Sequence, residues 1–136
     1  MIVAAAVAAL SLVNVTADNL GYGGVMIATT RAAAERKLGR RLPPTVNPYI
    51  PACGEFESIT YIGGRMAVIQ WSDRTPRATV ESIVVALDNH RLDGLPRGLV
   101  RRGGAFYPPK NEQVVLWVTD PPQPPLLYIY LVECTD

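Results

Sequence analysis

Short runs of β-branched, aromatic and other apolar residues, separated by Gly, Pro and polar turns, recur along much of this chain and predict a sheet protein. Phe56–Ile62 and Arg65–Trp71 are β-rich runs separated only by Gly63-Gly64. A two-residue Gly-Gly link predicts a hairpin, because a type I′ turn needs positive φ at both positions. Thr79–Leu87, centred on Ile83-Val84-Val85, reads as a further strand. Val80, Ile83, Val84 and Leu87 would also fit a helix begun at Thr75-Pro76, but the β-branched centre favours the strand. Gln113–Thr119 and Leu126–Glu133 are the last two strands, joined by the stiff loop Asp120–Pro125. In the last of them Leu127, Ile129 and Leu131 share one face and Tyr128 and Tyr130 the other. The aliphatic face is core, and the tyrosine face is either a second buried side or an exposed platform. Trp71 and Trp117 read as core or edge packing in their strands.

One stretch switches to helical character. Val25-Met26-Ile27-Ala28 reads as a short strand, Thr30 is a good N-cap, and Arg31 to Leu38 are rich in helix formers. Gly39 supplies the stop, and Pro43-Pro44 forbid continuation. Asp88–Gly104 is polar and broken by Gly94, Pro96, Gly98 and Gly103-Gly104, leaving room for little more than one helical turn. The expected class is α+β, an antiparallel sheet of about six strands with one short helix. A faint repeat is visible. Val25–Thr30 before the helix parallels Ile83–Asp88 before the polar segment, and each is followed by a hairpin, 56–71 and 113–133. Two degenerate strand–helix–hairpin repeats are the expected architecture.

Residues 1–17, MIVAAAVAALSLVNVTA, carry no charged side chain and are almost wholly apolar to Val13. The stretch is short for a membrane span, which needs about 20 residues. Val15-Thr16-Ala17 suits a signal peptidase, so the segment reads as an export signal cleaved after Ala17, with one domain over 18–136. No Lys or Arg precedes the apolar run, and a buried first element is the competing reading. No Cys lies near the cleavage point, which argues against a lipoprotein. In an exported chain the only two cysteines, Cys53 and Cys134, are expected to form one disulfide.

The chain has 136 residues, 49% of them apolar and 18% charged, enough to build one core. A net charge of +1 argues against a dedicated nucleic-acid binder, which would neutralise many phosphates.

The segment Gly24-Val25-Met26-Ile27-Ala28-Thr29-Thr30-Arg31-Ala32-Ala33-Ala34-Glu35-Arg36-Lys37-Leu38-Gly39 resembles a pattern shared by the β-lactamase inhibitory protein and small outer-membrane lipoprotein A families. That pattern is a strand, Gly-Met-Thr, a short helix with Glu, and Leu-Gly. Thr30, Glu35 and Leu38-Gly39 fit it, while Ala28 and Thr29 stand where the families have Gly and Met. The resemblance implies a small envelope or secreted domain that works by binding another protein.

Candidate chemistry is sparse. The lone His90 lies in a polar stretch, and Ser72 and Ser82 lack a nucleophile-elbow context. No metal-ligand spacing or cofactor loop is present, so no cofactor is expected. Glu55 and Glu57 would share one strand face and could serve a hydrolase, given a cleft. The best recognition candidates are Arg97, Arg101 and Arg102 around the glycines, with Phe106 and Tyr107 following. Arg forks suit carboxylates or phosphates, and aromatics anchor interfaces. The leading expectation is a non-enzymatic, exported domain that binds a protein partner, inhibitor-like or an envelope accessory. A small-ligand or anionic-polymer binder using the Arg-rich loop is a second reading, and a carboxylate-pair hydrolase a third.

Overall fold

The β-rich runs assemble into one large antiparallel sheet, and residues 13–26 supply a second, smaller one. The computed structural model describes residues 8–46 and 54–135. A 3-10 turn at Ala9–Leu12 leads into Val13–Val15 (β1), Leu20–Tyr22 (β2) and Val25–Met26 (β3), a three-stranded sheet in sequence order. The helix Arg31–Leu38 (α1) follows. The remaining strands are Thr45–Val46 (β4), Phe56–Ile62 (β5), Arg65–Trp71 (β6), Val80–Ala86 (β7), Val100–Arg102 (β8), Ala105–Tyr107 (β9), Val114–Val118 (β10) and Leu126–Leu131 (β11). These eight form one sheet in the order β4-β5-β6-β7-β11-β10-β9-β8.

The hairpin at Gly63-Gly64 forms as its turn chemistry requires, with φ of 61° and 79° and Ile62 opposite Arg65. At the other end of the sheet, the Thr119 hydroxyl ties down the Pro-rich loop between β10 and β11. It donates to Pro124 O at 2.6 Å and accepts from Leu126 N at 2.9 Å. The two hairpins join through β7 and β11, where Ile83 faces Ile129.

One face of this sheet is core. Ala67, Ile69, Trp71, Ile83, Val85, Leu116, Leu127 and Ile129 are fully buried, in one cluster with Leu20, Tyr22 and Val25 of the small sheet and Ile27 just after it. Trp71 buries its ring and donates its indole N–H to Ser58 Oγ at 2.8 Å, so no polar atom is stranded.

The helix buries only Ala34, so its position rests on hydrogen bonds more than on an apolar stripe. Thr30 Oγ1 accepts from Ala33 N, and Gly39 closes the helix at φ 67°. Arg31 N–H donates to Ala78 O at 2.7 Å, and Ala28 N–H to Val80 O at 2.8 Å, which ties the helix start to β7. Glu35 Oε2 accepts from Leu42 N at 2.7 Å and pairs with Arg31 at 3.4 Å. The Leu42 amide, aided by Arg31, holds the Glu35 carboxyl below its usual range.

Two expectations are corrected. The described residues hold eleven strands in two sheets, not about six. The additional strands, β1, β2, β4, β8 and β9, are two or three residues long, too short to show a period. The two halves are not copies of one unit, because β3 lies in the small sheet and β7 in the middle of the large one. Residues 88–99 form no helix, and Gly94 and Gly98 take φ of 87° and 100°, values no helix accommodates.

At the N-terminus, residues 9–17 pack against the rest of the fold. Leu10 and Val13 are each 3% exposed, and Val13 pairs with Tyr22. Tyr22 donates its hydroxyl to Ala9 O at 2.7 Å, and Asn14 Oδ1 accepts from Gly24 N at 2.7 Å. The expected cleavage junction is itself tied down. Ala17 O accepts from Lys110 N at 2.7 Å, and Asp18 O from Asn111 Nδ2 at 2.8 Å. Among the described residues no helix is long and apolar enough to cross a membrane.

Candidate functional site

The Arg-rich stretch folds as the β8–β9 hairpin, with Arg97 exposed in the coil before it. Arg101 lies with its guanidinium 5.4 Å from the centre of the Phe106 ring and donates from Nε to Gly103 O at 3.3 Å. Arg102 forms an ion pair with Glu112. Tyr107 is half-buried on β9. Phe106, expected as an interface anchor, is instead a core residue at 8% exposure. The cause is register. Phe106 pairs with Leu116 of β10, which points into the core, and period two sends Phe106 the same way. Of the five, Arg97, Arg101 and Arg102 are exposed, Tyr107 is half-buried and Phe106 is buried.

Glu55 is exposed just before β5, and Glu57 is opposite Gln70 within it. Neither carboxylate lines any of the four cavities described for the fold. His90 Nε2 lies 2.6 Å from Gln123 O, so that nitrogen carries the proton and fastens the 88–99 segment to the Pro-rich loop. Among the described residues no three His, Cys, Asp or Glu side chains come together as a metal-binding group. The expected disulfide falls on Cys53, which lies outside the described residues; Cys134 stands in the closing 3-10 turn, Val132–Thr135.

What the structure does bring together is the second face of the large sheet. Strand pairing lines up Ile59 with Val68, Val68 with Val84, Val84 with Tyr128, and Tyr128 with Trp117, a continuous row across five strands. Beside it run Tyr61, Met66, Ala86 and Leu126 on the same face, two residues along each strand. No charged residue stands in either row. Ile59 is 62% exposed, Tyr61 56% and Met66 46%, while Val68, Val84, Tyr128 and Trp117 are half-buried. Antiparallel sheets with one solvated face normally place polar residues there.

The row on the other side of Ile59–Trp117 is closed. Ser82 and Gln70 are buried there at 2% and 8% exposure and bonded to each other, Ser82 Oγ to Gln70 Oε1 at 2.6 Å. Tyr130 lies in this row opposite Ser82, and burial raises its hydroxyl pKa, with a hydrogen bond to Trp117 partly offsetting the rise. At the rim Trp117 and Tyr130 join Arg101, Asp120 and His90 around an open cavity of about 370 Å³.

Sequence reasoning reached the tyrosine face of β11 as one of two options and did not connect it to Trp117 or to the valines of β6 and β7. The available signal was the lack of charge at alternate positions in Arg65–Trp71, Val80–Ala86 and Val114–Val118. No protein-family model, no curated protein and no solved structure matches this chain.

Proposed function

We propose that this chain is a non-enzymatic domain that binds a protein partner through the open face of its large sheet. The observation that carries the reading is the charge-free double row from Ile59 to Trp117 and from Tyr61 to Leu126, with large apolar side chains exposed. Contiguous apolar surface of this kind marks interaction sites, and Trp and Tyr are the residue types that dominate binding energy. The Arg-rich loop is the weaker candidate, since Arg102 is already paired with Glu112 and Arg101 shares its cavity with Asp120.

An exported, inhibitor-like or envelope role is part of the same proposal. The helix segment supports the family resemblance in one detail. Ala28 takes φ 68°, a glycine conformation, at the position where the resembling families carry Gly. A Cys53–Cys134 disulfide is supported by the flanking residues, since Gly54 and Glu133 both approach Glu81. Export in this proposal leaves residues 9–17 attached.

The test is capture of partners from envelope and culture-fluid extracts by the tagged full chain. The two comparison variants are Ile59→Lys with Tyr61→Lys, and Arg97→Ala with Arg101→Ala. A partner lost with the first variant and kept with the second is the expected result. Equal capture by the native chain and the face variant overturns the proposal.

A further inference from the structure

We propose that the rim cavity beside Trp117 binds a neutral sugar ring, stacked on the free face of the indole and hydrogen-bonded by Asp120, His90, Arg101 and Tyr130. This site is separate from the protein-binding reading of the open face and stands or falls without it.

The indole has one covered face and one open one. Tyr128 stacks on it from β11, with the ring planes within 7° of parallel. On the opposite side the Leu116–Phe106 register sets Ala105 of β9 beside Trp117, with Gly104 of the hairpin turn next to it. These are the two smallest residue types, and the cavity opens over them. Its volume of about 370 Å³ falls within the ~300–1,000 Å³ of small-molecule pockets, and Leu92 and Val118 add apolar wall. A pyranose ring presents a face of C–H bonds, whose positive ends suit the electron-rich face of an indole.

The polar groups around the cavity have bonding capacity left. Arg101 donates from Nε to Gly103 O and has no ion pair among the described residues, so its terminal nitrogens stay available. The Asp120 carboxylate has no partner among the described residues. His90 gives its Nε2 proton to Gln123 O, which leaves Nδ1 as an acceptor. Trp117, a donor only, bonds the Tyr130 oxygen and leaves the Tyr130 hydroxyl proton to donate. The wall therefore offers two donors and two acceptors, and its two formal charges cancel. A net anion gains at Arg101 what it loses at Asp120, and a net cation the reverse. A zwitterion would use those two charges alone, in exposed positions where ion pairs contribute little, and leave His90 Nδ1 and Tyr130 unused. Sugar hydroxyls each donate and accept, so one ring meets all four groups.

Heteronuclear NMR titration of the full chain with methyl glucoside, methyl galactoside, methyl mannoside and N-acetylglucosamine tests this. Each is taken to about 100 mM, because a single ring of about twelve heavy atoms reaches a Kd of the order of millimolar. The expected result is saturable movement of the Trp117 indole N–H and the Gly104 and Ala105 amides with at least one of the four sugars. Asp120→Ala and Arg101→Ala each weaken that binding about threefold or more. Ala105→Trp sets a second ring on the free indole face and abolishes it. Ile59→Lys, four strands away on β5, leaves it unchanged. Circular dichroism checks that each variant folds, and the two exposed substitutions carry the test if Ala105→Trp does not. No saturable movement with any of the four sugars overturns the proposal, as does binding indifferent to both Asp120→Ala and Arg101→Ala. Phenylalanine, sulfate or tetramethylammonium moving the same signals at lower concentration than the sugars also overturns it.

Discussion

The indole ring of Trp117 lies against the phenol ring of Tyr128, centroids 4.8 Å apart and planes within 7° of parallel. The two residues are direct partners across β10 and β11, so the stack is a cross-strand pair on the open face. Such pairs contribute about 0.5–1.5 kcal/mol beyond the area they bury. Tyr128→Ala is expected to lower stability by about 1 kcal/mol, with Tyr128→Phe close to native. Urea unfolding followed by tryptophan fluorescence reads both. A Phe variant as unstable as the Ala variant would show that the ring stack is not the source.

Ala28 is the one non-glycine described at positive φ, 68°, and it is exposed. A Cβ in that region costs roughly 1 kcal/mol, while glycine adds unfolded-state entropy of similar size. The folded-state strain is relieved directly at an exposed turn, so Ala28→Gly is expected to be neutral to stabilising by up to about 1 kcal/mol, and Ala28→Val clearly destabilising. Chemical denaturation midpoints decide it, and a stabilised Val variant would contradict the strain.

Removing residues 1–17 takes Leu10 and Val13 out of the core and strips β1 from β2. Deleting one buried Leu side chain costs about 2–5 kcal/mol. A chain beginning at Asp18 is expected to melt at least 10 °C lower than the full chain, given that about 1 kcal/mol moves Tm by several degrees. The single substitution Leu10→Ala should move it in the same direction. Equal melting of the shortened and full chains would return the segment to the role of a removable signal.

Burial, and then the nearby Glu133 carboxylate, raise the Glu81 pKa above its usual range. A raised acid is stabilising only while protonated: its contribution is intact below the ordinary carboxylate pKa and is lost as pH rises through the folded value. Glu81→Gln is therefore expected to be more stable than native at neutral pH, with the gain vanishing in acid. Asp88 has the opposite sign, since its hydrogen bond to Arg65 at 2.8 Å lowers its pKa, and that support disappears as pH falls. Thermal melts of native and Glu81→Gln protein between acid and neutral pH would show the crossing; parallel curves would count against it.

A Cys53–Cys134 bond would close a loop of about eighty residues, for which chain entropy gives roughly 4–5 kcal/mol as an upper figure. Intact mass with thiol alkylation, before and after reduction, is expected to show no free thiol until reduction. Reduction is expected to lower the melting temperature. Two alkylated thiols in the native protein would remove the bond.

The best-read elements are those whose partners are neighbours in the chain. Phe56–Ile62, Arg65–Trp71 and Arg31–Leu38 have the ends that their turn and cap residues indicate. Gly63-Gly64 and the pair Thr30 and Gly39 are local signals, and local backbone chemistry suffices to read them. Alternation also determined that β11 has a Leu/Ile face and a Tyr face. Tertiary structure alone decided which face stays open, because that depends on what covers the other one. The Val84–Tyr128 pair joins strands distant in sequence, and one residue of register there or at Leu116–Phe106 would reverse every side chain in the pair of strands. The same holds at the N-terminus. A charge-free run reads first as a signal, and only the tertiary structure shows Leu10 and Val13 in a buried cluster with residues far along the chain.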